Sequence, residues 1–454
     1  MRCGASGKTV AAFFLASVVF LRFLVSLFSC WYSLIHTSPL ATPASATSIK
    51  WTEAGNDCSA FWRSERAAPP PKRVVLADDT INADTAYRLA CEGTALLWRG
   101  DFQNARQLLQ ALARRVDKPS KSAKTAKPAN ASRKKRLLTD AALAQAPADA
   151  FHLHRQAQAQ RARVLGMVLI QFDANYGVAL RRAPDVRQAC SEAWGMPDGS
   201  VESVESVASL RELLGLISAH EWRKKGVEVA ALGAPPDNRI HPHYGVFSPV
   251  RGEYVRLVAE AALPATSQQP FIAFDIGTGT GVLAAVLARR GITRVVATDQ
   301  DARALACAQA NLTRLGVQAQ VEVIAADLFP EGQASLIVCN PPWLPARPGS
   351  PIEGAVYDEG SRMLLGFLKG LAAHLAPGGE GWLVLSDFAE HLGLRSRGEL
   401  LAAIESAGLK VLGRLDTKPD HPKAQDETDP LHRARVAELT SLWRLGIAAG
   451  VQGA

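Results

Sequence analysis

From residue 270 onward, short unbroken apolar runs alternate with stretches whose apolar residues recur every three or four positions. FIAFDI (271–276), RVVATD (294–299), VEVIAAD (321–327), SLIVCN (335–340) and WLVLSD (382–387) read as strands buried on both faces. Between them VLAAVLARR, ARALACAQANLTRLG and RMLLGFLKGLAAHL read as amphipathic helices, the last closed by the turn APGGEG. Such alternation predicts a doubly wound α/β sheet, and ligands in these sheets bind at the C-terminal ends of the strands. Each acid or asparagine that ends a run therefore points toward one crevice.

Upstream, helical periodicity runs through ADTAYRLACEGTALLWRGDFQNARQLLQALARRV, FHLHRQAQAQRARVLGMVLIQF and VASLRELLGLISAHEWRKK. These stretches predict a smaller N-terminal helical domain over 81–235, preceded by an Ala-, Thr-, Ser- and Pro-rich linker over 41–80. His152 and His154 fall on one of its helices and, without a partner cluster, read as surface or core histidines. Near the C-terminus LKVLGRLDT and RVAELTSLWRL read as an antiparallel strand pair that completes a domain over 240–448. KPDHPKAQDETDPLHR between them reads as an exposed loop holding His421 and His432.

The chain has 454 residues, 48% of them hydrophobic and 21% charged, which is an ordinary globular composition. Its net charge of +8 is concentrated in one acid-free stretch holding Lys118, Lys121, Lys124, Lys127, Arg133, Lys134, Lys135 and Arg136. That stretch reads as a solvated linker over 117–137 that interrupts the helical domain, with weak RNA contact as a side effect. The seven cysteines form no CxxC pair and no zinc spacing, so neither metal nor disulfide framework is expected and a reducing, cytoplasmic compartment fits. Residues 9–35, an apolar run broken by Arg22, are long enough to span a bilayer. Three readings of segment 1–40 stay open: a membrane anchor, a signal peptide or an upstream extension.

Chemistry concentrates at the strand ends. In FDIGTGTG, Asp275 closes the first strand, and Gly277, Gly279 and Gly281 let the backbone turn tightly into a helix whose N-terminus offers free N–H groups. The third glycine comes one position earlier than in a dinucleotide fingerprint, so a pyrophosphate is not the expected guest. Asp299 ends the next strand at the distance expected of a ribose-binding acid, and Asp327 ends the one after.

This series resembles the class I S-adenosylmethionine-dependent methyltransferases, with their Rossmann-like sheet, over residues 245–446. The resemblance implies S-adenosylmethionine as cofactor, with Gly277, Thr278, Gly279, Thr280 and Gly281 lining its methionine portion and Asp275 and Asn340 also among the residues that bind it. Asp299 would take the ribose, while Asp327 and Leu328 would border the adenine.

After the fourth strand comes NPPW, which looks like the signature of methyltransferases acting on planar NH2 groups: glutamine amides or the exocyclic amines of bases. Asn340 and Pro341 would accept both N–H bonds of the acceptor and hold its nitrogen toward the methyl group, and Trp343 would offer a flat face for stacking. Most such enzymes carry Tyr or Phe where Trp343 stands.

YGVFSPVRGEYVRLV (244–258) is similar to a segment shared by the HemK-like protein-glutamine methyltransferases and the ribosomal RNA guanine-amine methyltransferases. The small N-terminal helical domain favours the first group, whose partners are release factors or a ribosomal protein, although Ser248 to Glu253 departs from its usual element. The second usually carries a duplicated methyltransferase-like half, and no second strand series is read here. RNA or DNA bases stay as the alternative acceptors, and a cofactor-binding protein without turnover as the second alternative.

Overall fold

The computed structural model describes residues 47–117, 147–197, 205–265, 269–349, 351–419, 426–427 and 429–448. Segment 9–35 and the basic stretch 118–136 lie outside these residues, as does His421. Among the described residues no helix is long and apolar enough to cross a membrane.

Two large sheets organise the chain. The first is built from β1 (Ser48–Glu53), β2 (Asn56–Trp62), β3 (Arg73–Ala77), β4 (Thr94–Trp98), β5 (Val168–Phe172) and β6 (Ser206–Ser209), in the order β1-β2-β6-β5-β4-β3. This sheet corrects two expectations: 81–235 is mixed α/β rather than helical, and 41–80 supplies three strands rather than a linker.

The physical reason is the same throughout 81–235: each strand directly abuts a helix. TALLW, buried at all five positions, lies between helices Ala83–Cys91 and Phe102–Val116 and is set off by Gly93 and Gly100. VLIQF follows helix Pro147–Leu165 after Gly166, and Ser209 is both the end of β6 and the N-cap of helix Leu210–Lys225. A continuous apolar run next to a helix blends into the helical pattern. In 41–80 the Ser, Thr and Pro content hides the period-two alternation of Ile49 and Trp51, buried with Ala60 and Trp62.

After the short antiparallel pair β7 (Val227–Glu228) and β8 (Arg239–Ile240), the second sheet follows the sequence expectation closely. Its strands are β9 (Ile272–Ile276), β10 (Arg294–Asp299), β11 (Val321–Ala325), β12 (Ala334–Cys339), β13 (Leu375–Ser386), β14 (Leu409–Thr417) and β15 (Thr440–Ile447). Their order is β11-β10-β9-β12-β13-β15-β14, parallel through β13, with β15 antiparallel to both neighbours. APGGEG, read as a turn, falls inside β13: Ala334 pairs with Leu375 but Leu336 with Glu380, so the intervening residues bulge out of the ladder. The first sheet has a different strand order, so the chain is no duplication of one sheet, although the expectation of no second strand series is overturned.

Alternate residues of each buried strand feed cores on opposite faces. Leu336 and Val338 pack with Trp382 and Val384 against helices Gly252–Glu260 and Val282–Arg289. Ile337 and Cys339 pack with Leu383 and Leu385 against helices Arg362–His374 and Arg397–Ser406. A third cluster joins the long loop after β12 to the N-terminal half: fully buried Phe151, from helix Pro147–Leu165, packs with Leu344, Phe388 and Leu392. On that helix Arg155 lies 4.3 Å from the Tyr357 ring centroid and donates to the Arg347 carbonyl at 2.8 Å.

Trp382 is fully buried in the middle of the second sheet and donates to Glu380 at 3.0 Å, which in turn pairs with Arg444. Trp382→Ala should cost about 3–5 kcal/mol through lost burial and the cavity left behind. Chemical denaturation followed by circular dichroism should show the corresponding drop in midpoint.

Candidate active site

Strand register assembles the site. Ile276 of β9 pairs with Thr298 of β10 on one side and with Cys339 of β12 on the other. The next residues, Gly277, Asp299 and Asn340, therefore share one row at the C-terminal edge. The chain runs β9 to β10 to β11 in one direction across the sheet and then restarts at β12 in the other, so this row sits at the topological switch point.

A cavity of about 1030 Å³ opens there. Of the residues singled out from the sequence, its wall carries Gly277, Thr278, Gly279 and Thr280 from the loop after β9, with Asp299 and Leu328 from the ends of the next two strands. Asn340, Pro341 and Trp343 form another part of the same wall. Gly279 has φ +55 and open space where a Cβ would stand, whereas at Gly281 (φ +79) a Cβ would crowd the Ala308 backbone at 3.1 Å. Gly279 thus exposes backbone to the cavity, and Gly281 allows the following helix to pack closely.

Asp299 is held by backbone: its Oδ2 accepts from Gly279 N and its Oδ1 from Asp301 N, each at 3.0 Å. Two fixed oxygens retain lone pairs for further donors. Leu328 takes the left-handed conformation (φ +71), and the Thr298 hydroxyl donates to its carbonyl at 2.6 Å. A left-handed backbone costs energy in a non-glycine residue, and here it occurs where Leu328 joins the cavity wall.

Three residues expected around the ligand are placed elsewhere. Gly281 lies behind the wall, as described. Asp275 is buried beneath the loop, where its Oδ2 accepts both from the Thr278 hydroxyl at 2.6 Å and from Ala284 N at 2.9 Å. Burial outweighs these bonds and pushes its carboxyl up to about 6. Asp327 is exposed at the rim and accepts from Gln300 at 2.6 Å, and it is Gln300 that reaches the cavity wall. The parity of a strand end does not tell whether its last side chain turns into the crevice or beneath the loop.

Around the NPPW segment the structure adds partners that no local pattern indicates. Trp343 Nε1 donates to Asn340 Oδ1 at 2.9 Å. Arg251, on the cavity wall, lies 4.8 Å from the Trp343 ring centroid, so one face of the expected stacking platform is already covered. Arg251 in turn donates to Glu253 at 2.6 Å and to Glu438 at 3.0 Å. Arg251 lies in the stretch Ser248 to Glu253, and its partner Glu438 stands 187 positions away.

The glycine loop, the backbone-anchored Asp299 and NPPW thus lie in one row at the switch point of the second sheet, an arrangement that can hold a nucleoside cofactor. The comparisons agree: residues 237–396 match the family model of the methyltransferase small domain. The chain is 36% identical over 143 residues to the ribosomal protein L11 methyltransferase of Pelotomaculum thermopropionicum, covering 31% of this chain and 39% of that protein. It is 35% identical over 127 residues to the release factor glutamine methyltransferase of Koribacter versatilis, covering 24% and 44%. With the release factor glutamine methyltransferase of Moorella thermoacetica it shares 40% over 117 residues, covering 24% and 41%. The chain thus spans less than half the length of these relatives.

Over the matched residues 237–396, which hold most of the second sheet, the chain resembles the class I S-adenosylmethionine-dependent methyltransferases. S-adenosylmethionine is the cofactor of this class, and the open backbone at Gly279 together with the paired, anchored oxygens of Asp299 fit its amino-acid and ribose portions.

Both hydrogen bonds to Asp275 end on one oxygen, so Asp275→Asn can keep them while removing a buried charge. A carboxyl whose folded pKa is raised from 3.8 to about 6 makes the fold lose stability as pH rises through that window, with the cost complete above it. Asp275→Asn should therefore lose this pH dependence and melt no lower than wild type, by up to several degrees higher, at pH 8. Thermal melts at pH 4 to 8 measure it, and a melting point well below wild type at pH 8 would refute the assignment.

Proposed function

We propose that this chain is an S-adenosylmethionine-dependent methyltransferase acting on a planar NH2 group, and that the acceptor is a glutamine side-chain amide in a protein of the translation machinery. The observation that carries the reading is the presence of Asn340 and Pro341 on the same cavity wall as Gly279 and Asp299. When bound, the cofactor supplies an electrophilic methyl group carried on a sulfonium.

The roles of the chain's own residues follow from their chemistry. Asp299, fixed by two backbone N–H groups, accepts hydrogen bonds from ribose hydroxyls, and Gln300, gripped by Asp327, borders the base. The backbone from Gly277 to Thr280 lines the amino-acid portion. Asn340 Oδ1 and the Pro341 carbonyl accept one N–H each from the acceptor. An amide nitrogen is a poor nucleophile because its lone pair is delocalised, and two fixed acceptors orient the nitrogen and favour localisation of that lone pair during attack. The prolines stiffen the carbonyl segment so that little reorganisation is needed.

Among the relatives, six are named for ribosomal protein L11 and two for release factor glutamine, which supports a protein acceptor from translation. Incubation with tritiated S-adenosylmethionine and separate pools of ribosomal protein, release factor and RNA should label a protein pool. Label in RNA would move the acceptor to a base amine. Asn340→Ala should lower the rate by about 100-fold or more, as loss of one oriented polar group at a reacting centre does, and a variant at full rate would sink the reading. Asp299→Ala should weaken S-adenosylhomocysteine binding by about 10- to 100-fold in calorimetry, the equivalent of one charge-assisted hydrogen bond.

A further inference from the structure

Trp343 does more than supply a ring. Its indole N–H is a donor only, so it can pair with the oxygen end of the Asn340 amide and never with the nitrogen end. The 2.9 Å bond therefore selects one of the two flipped orientations of that amide. It also takes one lone pair of Oδ1 and leaves one, so an acceptor NH2 has to divide its two N–H groups between Asn340 and a second oxygen.

The indole is held in turn. The Arg251 guanidinium covers one face at 4.8 Å, and two carboxylates with almost no exposure, Glu253 and Glu438, fix that guanidinium at 2.6 and 3.0 Å. The Ser386 hydroxyl, at the end of β13, donates to the same Glu438 oxygen at 2.7 Å. A half-buried arginine paired through Nε and Nη2 to two buried carboxylates loses little further freedom by stacking, and its planar fork cannot be reproduced by lysine.

We propose that Trp343 is a positioning residue for Asn340, and Arg251 a positioning residue for Trp343, the two forming a latch that keeps Oδ1 turned to the acceptor. This inference rests on the amine-methyltransferase reading above. It assigns the tryptophan of NPPW a hydrogen-bonding task that a Tyr or Phe ring at this position does not perform in the same way.

Trp343→Phe keeps a ring under Arg251 and removes the N–H. It should bind S-adenosylhomocysteine within about twofold of wild type while methyl transfer to the labelled pool falls about tenfold in kcat, the size of one lost neutral hydrogen bond. Arg251→Lys should slow the wild-type background but add nothing on top of Trp343→Phe, and additive losses would overturn the relay.

A readout independent of any acceptor uses protein labelled with 15N-tryptophan. The indole resonance missing from Trp343→Phe should exchange its proton at least about tenfold more slowly in wild type than in Asn340→Ala. Equal exchange, or full activity of Trp343→Phe, overturns the latch. Full activity of Asn340→Ala instead overturns the amine reading and leaves the exchange result to judge the latch by itself.

Discussion

The parallel ladder that sets β9 beside both β10 and β12 is the constraint on which the rest depends. Because it aligns Ile276 with Thr298 and with Cys339, three loops leave the sheet at one height, and residues 22 and 63 positions beyond Gly277 become its neighbours. A one-residue slip of β12 would exchange the two core faces, burying Leu336 and Val338 where Ile337 and Cys339 now pack. Core packing thereby fixes the register, and the register fixes the site. No loop has to find its partners unaided.

Around this row, polar groups are bound to one another before any ligand arrives. Asp275 ties the glycine loop to the helix behind it, Asp299 is tethered to backbone on both oxygens, and Asn340 is held by Trp343. Such anchoring reduces the entropy that binding would otherwise have to remove. It has a cost in stability, visible in the raised pKa of Asp275 and in the left-handed Leu328.

Much of the second sheet was legible because its strands are unbroken apolar runs ending in Asp or Asn and separated by amphipathic helices. The runs ending at Asp299 and Asn340 lie where expected, and both residues reach the cavity wall. The first sheet was not legible, since TALLW, VLIQF and SVAS each adjoin a helix and inherit its periodicity. Within the site, sequence placed Asp275 and Asp327 on the wall, whereas the fold turns one beneath the loop and the other to the rim. Arg251 depends on Glu438, a partner supplied only by tertiary structure. Local pattern reports which residues end strands; which way their side chains turn is decided by packing.

The loop that follows NPPW is not held by its own sheet alone. Phe151 and Arg155, from a helix belonging to the first sheet's half of the chain, fill the cluster under Leu344 and grip Tyr357 and the Arg347 carbonyl. The order of that loop and the order of that helix are therefore linked free energies: whatever steadies one steadies the other, to the same extent in both directions. The N-terminal half thereby contributes to the order of the loop after NPPW, and cutting the protein between its two sheets would remove Phe151 and Arg155 from that loop.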